Sequence, residues 1–101
     1  MKEFKESYIE KSCINYAKSK GWLTHKFVSP NNKGVPDRLF IKKGYVLFVE
    51  FKSTKGKVTP LQKLVIDTLV KSGARVEIIN NIDNFKNLIN SIEINSINKG
   101  S

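Results

Sequence analysis

The eight residues from Tyr45 to Lys52 constrain the fold of this chain more than any other segment. The run Tyr-Val-Leu-Phe-Val-Glu-Phe-Lys is apolar on both faces of a strand until Glu50, and strands of this kind are covered on both sides. Because side chains alternate along a strand, Glu50 and Lys52 share one face. The sequence therefore predicts a central strand in which a carboxylate and an ammonium enter an otherwise apolar layer together.

A tight turn at Lys43-Gly44 predicts a hairpin between this strand and the segment that starts at Asp37. Glycine supplies the positive φ that such turns need. If Lys42 lies opposite Tyr45, the constant register places Asp37 directly opposite Glu50. Side chains in this relation have Cβ atoms about 5 Å apart on the same face of the sheet. The hairpin therefore predicts two neighbouring carboxylates.

Two carboxylates at this separation repel by about 3 kcal/mol at an effective dielectric near 20. A divalent cation between Asp37 and Glu50 converts the repulsion into attraction, and hard cations such as Mg²⁺ prefer oxygen ligands. The carbonyl of Phe51 is a candidate third ligand. Lys52, one step along the same face, is placed to position an attacking water or to offset negative charge in a transition state. The alternative, an ordinary ion pair of Glu50 with Lys52 at a sheet edge, leaves the charge of Asp37 uncompensated.

The remaining elements follow from hydrophobic periodicity and from glycine and proline signals. The predictions are a helix over residues 3–20, strands over 22–28, 37–42, 45–53 and 75–79, a loop over 29–36, and helices over 60–72 and 83–92. This order, α-β-β-β-α-β-α, predicts an α/β fold in which helices flank a sheet. We expect one domain over residues 1–92 and a flexible C-terminal tail over residues 93–101.

Two further polar residues are candidates for the same site. Glu10 lies in the middle of the apolar arc of the first helix, although a helix acid of this kind equally pairs with a lysine. Glu3 and Glu6 share its stripe but lie nearer the helix end, so we rank them lower. Gln62 follows Thr59 at the spacing of a capping box, which alone accounts for it, yet it could also orient a water or a phosphate.

The net charge of +9 favours a polyanionic partner. Basic residues on loops beside the carboxylates are candidates for phosphate contacts, with a purely solvated surface as the alternative: Lys33, Arg38, Lys55 and Lys57. The single cysteine cannot form an internal disulfide, which favours a reducing, cytoplasmic location. No apolar run approaches the roughly 18 residues of a membrane span, so we expect no membrane association.

Five motifs in this order resemble a free-standing VRR-NUC domain, the virus-type replication-repair nuclease of the PD-(D/E)XK superfamily. They are Glu10, Lys26-Phe27, the run Gly34–Arg38, the run Val49–Lys52, and the run Pro60–Gln62. The resemblance covers residues 4 to about 90. It implies a restriction-endonuclease-like fold, with an α-β-β-β-α-β core, a C-terminal helix and a mixed sheet.

The resemblance also implies phosphodiester hydrolysis with Mg²⁺, for which Mn²⁺ substitutes. Asp37 and Glu50 then bind the metal, Lys52 serves the attacking water, and Glu10 and Gln62 support the site. Compact phage and bacterial members resemble Holliday-junction resolvases and act as homodimers on branched DNA. We therefore expect a homodimeric, structure-selective DNA endonuclease of a bacterial or phage-infected cell, acting in repair or recombination. One departure from the family pattern is the strongly basic segment 53–57.

Three other functions stay open on the sequence alone. The first is a nuclease acting on flaps, nicked duplex or single strands. The second is a non-enzymatic nucleic-acid-binding module of the same fold, and the third is a structural dimer whose charge is incidental. The retained Asp37, Glu50 and Lys52 disfavour the last two, since opposed carboxylates would have no purpose in a retired site.

Overall fold

A four-stranded mixed sheet organises the chain, as the sequence predicts. The computed structural model describes residues 2–29 and 33–98, so residues 30–32 of the predicted loop lie outside the described part. Strands β1 to β3 are antiparallel neighbours, and β4 is parallel to β3. The elements in chain order are α1 (Glu6–Ser19), β1 (Leu23–Lys26), β2 (Arg38–Lys42), β3 (Tyr45–Phe51), α2 (Pro60–Lys71), β4 (Arg75–Ile79) and α3 (Ile82–Ile92).

The hydrophobic core lies between one face of the sheet and the pair of helices α1 and α3. Alternate residues of β3 point into it, and Leu47, Val49 and Phe51 are all buried. The rings of Phe40, Phe51 and Phe85 pack together, with centroids 5.2 to 6.3 Å apart. Full burial of such a side chain stabilises the fold by roughly 1.5–3 kcal/mol. Because these odd-numbered residues of β3 face the core, its even-numbered residues, including Glu50, point to the opposite face of the sheet.

The hairpin between β2 and β3 has the predicted register. Lys42 pairs with Tyr45 and Arg38 with Val49. Lys43 and Gly44 both adopt positive φ, at 48° and 83°, which is the conformation of a type I′ turn whose twist matches the strands. The register places the residue before β2, Asp37, level with Glu50, on the face of the sheet that does not carry the core.

Helix α2 crosses that second face and connects β3 to the parallel strand β4. Thr59 caps its first turn together with Gln62, and Pro60 occupies the first helical position, where its missing N–H has no helical partner to lose. Ile66 is buried beneath the helix. Leu23 and Val46 are 54% and 43% exposed on the same face, so α2 leaves the part of this face nearest β1 uncovered.

The C-terminal residues differ from the flexible tail expected over residues 93–101. Residues Glu93–Ile97 continue α3 as a wider π-helical turn, and both Glu93 and Ile97 are buried. Residues 99–101 lie outside the described part of the chain. The ordered domain therefore extends beyond residue 92, because a buried carboxylate and an isoleucine hold the next turn against the sheet. No helix in the described ranges combines the length and apolar character needed to cross a bilayer.

Glu93 is held by polar groups from the first half of the chain. Its Oε2 accepts hydrogen bonds from Lys42 Nζ at 2.5 Å and from Trp22 Nε1 at 3.2 Å, and Lys20 Nζ lies 3.5 Å from Oε1. Burial opposes the ionisation of Glu93. The hydrogen bonds from Lys42 and Trp22, with the charges of Lys42 and Lys20, outweigh it and hold the pKa of this carboxyl below its ordinary value.

We expect Glu93→Ala to lower the free energy of unfolding at pH 7 by about 1–3 kcal/mol, because charged hydrogen bonds of this kind are lost. The pKa of Glu93 is depressed in the folded state. Its contribution is therefore present above the ordinary pKa of 4.5 and is lost as pH falls through the lower folded-state value. Urea unfolding of the wild type and the variant between pH 7 and pH 3 measures both effects.

The free energies of unfolding of the wild type and of Glu93→Ala should approach each other as the pH is lowered. Glu93→Gln is the matched control, since it keeps an acceptor for Trp22 without the charge, and its stability should lie between the other two at neutral pH. A difference between wild type and Glu93→Ala that stays constant over the whole range would contradict this account.

Candidate active site

Glu50 lies on β3 and Asp37 directly precedes the neighbouring strand β2, level with Glu50 on the face of the sheet that carries α2. Glu50 is 6% exposed, and Asp37 is partly buried. The carbonyl of Asp37 accepts a hydrogen bond from the N–H of Phe27 at 2.7 Å, which fixes its backbone against the chain after β1. Burial raises the pKa of Glu50, Lys52 acts against this, and the negative charge of Asp37 raises the pKa further. The structure therefore places the two acids near enough for the charge of Asp37 to act on Glu50.

Gln62 connects this pair to the adjacent lysine. Lys52 Nζ donates a hydrogen bond to Gln62 Oε1 at 2.8 Å, and Gln62 Nε2 donates to Glu50 Oε2 at 3.2 Å. Lys52 Nζ also lies 3.5 Å from Glu50 Oε2. Both side chains of the ion pair are nearly buried, at 13% exposed for Lys52 and 8% for Glu50. The amide of Gln62 therefore fixes the distance between the Glu50 carboxylate and the Lys52 ammonium.

The capping box determines which way this amide points. The N–H of Thr59 donates to Gln62 Oε1 at 2.9 Å, while Thr59 Oγ1 accepts from the N–H of Gln62 at 3.1 Å. A backbone N–H can only donate, so it selects the oxygen of the amide and turns the nitrogen towards Glu50. The two roles considered for Gln62, cap and site residue, are thus performed by one side chain.

The loop that leads to Asp37 packs directly on the first turn of α2. Gly34 adopts φ +102°, and a Cβ added there would lie 3.1 Å from Leu61 Cγ and 3.2 Å from the Leu61 carbonyl oxygen. Both the conformation and the close approach require glycine. Pro36, the next-to-last residue of the loop, is fully buried. The same helix turn therefore positions the Asp37 loop on one side and Gln62 on the other.

Glu10 lies elsewhere, in an ion pair with Arg38. Arg38 Nε and Nη2 both lie 3.1 Å from Glu10 Oε2, with side chains 16% and 19% exposed. Because Arg38 follows Asp37 directly, its side chain projects to the opposite face of the sheet, towards α1. The structure therefore brings together Asp37, Glu50, Lys52 and Gln62, whereas Glu10 and Arg38 tie α1 to β2 beside them.

Glu6 is the acid of α1 whose charge acts on the site. Its negative charge is among those that raise the pKa of Glu50. Glu6 shares its helix stripe with Glu10, and the sequence ranked it below Glu10 because a fraying helix end was expected. The end is held because the N–H of Phe4 donates to Thr54 Oγ1 at 2.8 Å and the N–H of Thr54 donates to the Phe4 carbonyl at 3.1 Å.

The candidate phosphate-binding lysines Lys33, Lys55 and Lys57 are all exposed. Lys55 Nζ lies 2.6 Å from Glu3 Oε1, in a pair whose side chains are largely solvated. Such exposed pairs contribute little to stability and are exchanged easily. Within the described ranges, no group of three or more His, Cys, Asp or Glu side chains is arranged to hold a metal ion. The acidic centre of the site is therefore a pair of carboxylates.

Comparison with known proteins decides the family. The model of the VRR-NUC domain matches residues 5–81. The chain belongs to the VRR-NUC family. The matched range contains Asp37, Glu50, Lys52 and Gln62, and it ends before α3. The family prediction made from the ordered motifs is confirmed.

Similar proteins agree with this assignment. The chain is 36% identical over 84 residues to "Putative nuclease p44" of Acyrthosiphon pisum secondary endosymbiont phage 1, covering 82% of this chain and 90% of that protein. A solved "VRR_NUC domain" superposes with a TM-score of 0.77 at 26% identity, over 84% of this chain and 94% of the other. A "VRR_NUC domain protein" gives 0.73 at 24% identity, over 92% and 91%. The predicted α/β fold is confirmed, and the family match and the phage relative support a nuclease activity.

Glu50→Gln should raise the melting temperature of the protein in EDTA at pH 8. Burial and the neighbouring charge of Asp37 disfavour the ionised carboxyl in the folded state, and these effects outweigh the attraction of Lys52. Differential scanning calorimetry measures the change. Glu77→Gln, a partly exposed acid of β4 paired with Arg75, is the control and should give no increase. A melting temperature of Glu50→Gln below that of wild type would show that the contact with Lys52 dominates instead.

Proposed function

We propose that this VRR-NUC protein is a metal-dependent, structure-selective DNA endonuclease that cuts branched DNA such as four-way (Holliday) junctions. The observation that supports it most is the placement of Asp37 and Glu50 on one sheet face with Lys52 fixed beside them. The proposed setting is a bacterial or phage-infected cell, in line with the phage relative. Membership of the wider PD-(D/E)XK superfamily is part of the same proposal.

The donor set fits a hard divalent cation, and Mg²⁺ is the proposed cofactor, with Mn²⁺ as a substitute. Asp37 and Glu50 would hold it through carboxylate oxygens, and Phe51 through its carbonyl. Mg²⁺ in nucleic-acid enzymes keeps several waters and needs only one or two carboxylates, so a pair of acids is sufficient. When bound, such a cation supplies Lewis acidity towards the phosphate and a more acidic water.

Lys52 and Gln62 supply the rest of the chemistry. The hydrogen bond to Gln62 Oε1 keeps the Lys52 ammonium beside Glu50, where it orients the attacking water and offsets the negative charge that develops on the phosphate oxygens. Because these groups are held before substrate arrives, little reorganisation is needed during the reaction. Glu10 acts through Arg38 as a positioning residue for the strand that begins after Asp37.

Basic residues around the site would hold the DNA backbone. Lys33 precedes the Asp37 loop, and Lys55 and Lys57 follow Lys52 within five positions. Contacts of this kind position DNA without reading its sequence and depend strongly on salt. Arg38 was a further candidate from the sequence, but its guanidinium is engaged by Glu10, so we assign it to the support of β2.

A panel of end-labelled substrates tests the proposal: four-way junction, flap, fork, nicked duplex, duplex and single strand, each with Mg²⁺, Mn²⁺ or EDTA. Preferential cutting of the junction with either metal supports it. If flaps, nicked duplex or single strands are cut in preference to the junction, these alternative substrates replace the four-way junction in the proposal. If the protein binds these DNAs but cuts none of them with Mg²⁺ or Mn²⁺, it is a non-enzymatic binding module and the enzymatic assignment is overturned.

Single substitutions should separate metal binding from chemistry. Asp37→Ala and Glu50→Ala should each reduce single-turnover cleavage by about 10³-fold or more and weaken Mn²⁺ binding, while Lys52→Ala should lose about 10²–10³-fold with Mn²⁺ binding retained. Cleavage assays and Mn²⁺ titration calorimetry provide the two readouts. Asp67→Ala removes an exposed acid paired with Lys63 and should behave as wild type. Full activity of Asp37→Ala would rule out the assigned site.

We further propose that two copies form a two-fold dimer, because symmetric cuts in a junction need two equivalent sites. The uncovered part of the sheet face offers exposed Leu23 and Val46, and α2 offers Leu61 and Leu64, which are 49% and 64% exposed. Light scattering at micromolar concentration should give twice the chain mass of 11.5 kDa. Val46→Glu should yield a monomer, whereas Lys11→Glu on the exposed side of α1 should not. A monomeric wild type that cuts junctions would refute the dimer.

A further inference from the structure

A cavity of about 470 Å³ lies at the carboxyl ends of β3 and β4, between the N-terminal segment and the start of α3. Its walls are apolar at Phe4, Ile9 and Ile82, and Lys2 and Asp83 add opposite charges at its margin. A volume of this size lies within the range of small-molecule sites, whose walls are mainly apolar with a few polar groups.

The cavity is built from the residues that fix the end of the catalytic strand. The N–H of Lys52 donates to the carbonyl of Ile79 at 2.9 Å. The next residue, Asn80, lines the cavity and donates from Nδ2 to the carbonyl of Thr54 at 3.1 Å. Thr54 in turn holds Phe4 through a pair of hydrogen bonds. The cavity therefore lies at the edge of the sheet where β3 leads into Lys52, on the side of α1 and α3, whereas the Lys52 side chain lies on the α2 side with Gln62.

We propose that this cavity binds an unpaired nucleobase of the DNA substrate beside the cleavage site, which rests on the proposed function. The ring of Phe4 offers a flat wall, and it is held in place by stacking on Tyr8, with centroids 5.1 Å apart and planes 16° from parallel. Base stacking on an aromatic side chain tolerates any base. Since a base paired inside duplex DNA cannot enter, the cavity accepts only a nucleotide that is unpaired or has been turned out of its pair, as happens when base pairs open at a branch point.

The charges around the cavity favour a base over a phosphate inside it. Asp83 is one of its lining residues, so its negative charge repels an anion, and its carboxylate could accept hydrogen bonds from base amino groups. Lys2 Nζ lies 5.6 Å from the centroid of the Phe4 ring. This exposed side chain would have to move aside for a base to stack on that ring, and its ammonium could then pair with the phosphate of the same nucleotide.

The test measures affinity for a branched DNA that carries one unpaired adenine at the branch, compared with the same DNA carrying an abasic residue. Fluorescence anisotropy in EDTA keeps the measurement independent of cleavage. Wild type should bind the abasic DNA more weakly, by about five-fold or more. Phe4→Leu should reduce the difference to less than about two-fold, because the stacking partner is lost. Tyr45→Leu, a partly buried aromatic at the other end of β3, is the matched control and should keep the full difference.

A second measurement uses the wild type alone. DNA with 5-iodouracil at the unpaired position is irradiated in the complex, and the adduct is mapped by mass spectrometry. An adduct at Phe4 supports the proposal. An adduct confined to other residues, or equal affinity for the adenine and abasic DNAs, overturns it. Equal affinity in a protein that still cuts branched DNA rejects the cavity alone, whereas failure to bind any DNA rejects the proposed function as well.

Discussion

The repulsion between Asp37 and Glu50 is the constraint on which the rest of the site depends. A buried carboxylate is already costly, and a second one level with it on the next strand adds to the cost. Burial and the charge of Asp37 raise the pKa of Glu50 by more than the ammonium of Lys52 lowers it. A sequence selected for stability alone would place a neutral residue at one of these positions. In the proposed function, this repulsion between the two carboxylates is what would favour the binding of a divalent cation.

The fold keeps these groups together with elements that each serve two purposes. The type I′ turn sets the register that aligns the acids, and the same hairpin contributes Phe40 to the core. The first turn of α2 caps itself through Thr59, and the capping residue Gln62 spans Lys52 and Glu50. Gly34 allows the Asp37 loop to rest on that turn. A change in the start of α2 would therefore disturb both halves of the site at once.

Local patterns predicted much of this arrangement. Strand alternation and a two-residue turn were sufficient for the register of Asp37 and Glu50, and the spacing of Thr59 and Gln62 was sufficient for the cap. The partners of Glu10 and Glu93 could not be predicted, because they come from residues 28 and 51 positions away in sequence. The hydrogen bonds between Phe4 and Thr54, which hold the chain just before α1, were likewise not predicted. Long-range polar contacts leave no periodic signal in the sequence.

The most direct test of the central claim is a crystal structure of the wild-type protein soaked with Mn²⁺, with anomalous difference density used to locate the ion. The account predicts a peak between the carboxylates of Asp37 and Glu50, within coordination distance of the Phe51 carbonyl, and no such peak in crystals of Asp37→Ala. A peak bound elsewhere, or an ordered Asp37 and Glu50 with no ion between them at saturating Mn²⁺, would contradict the account.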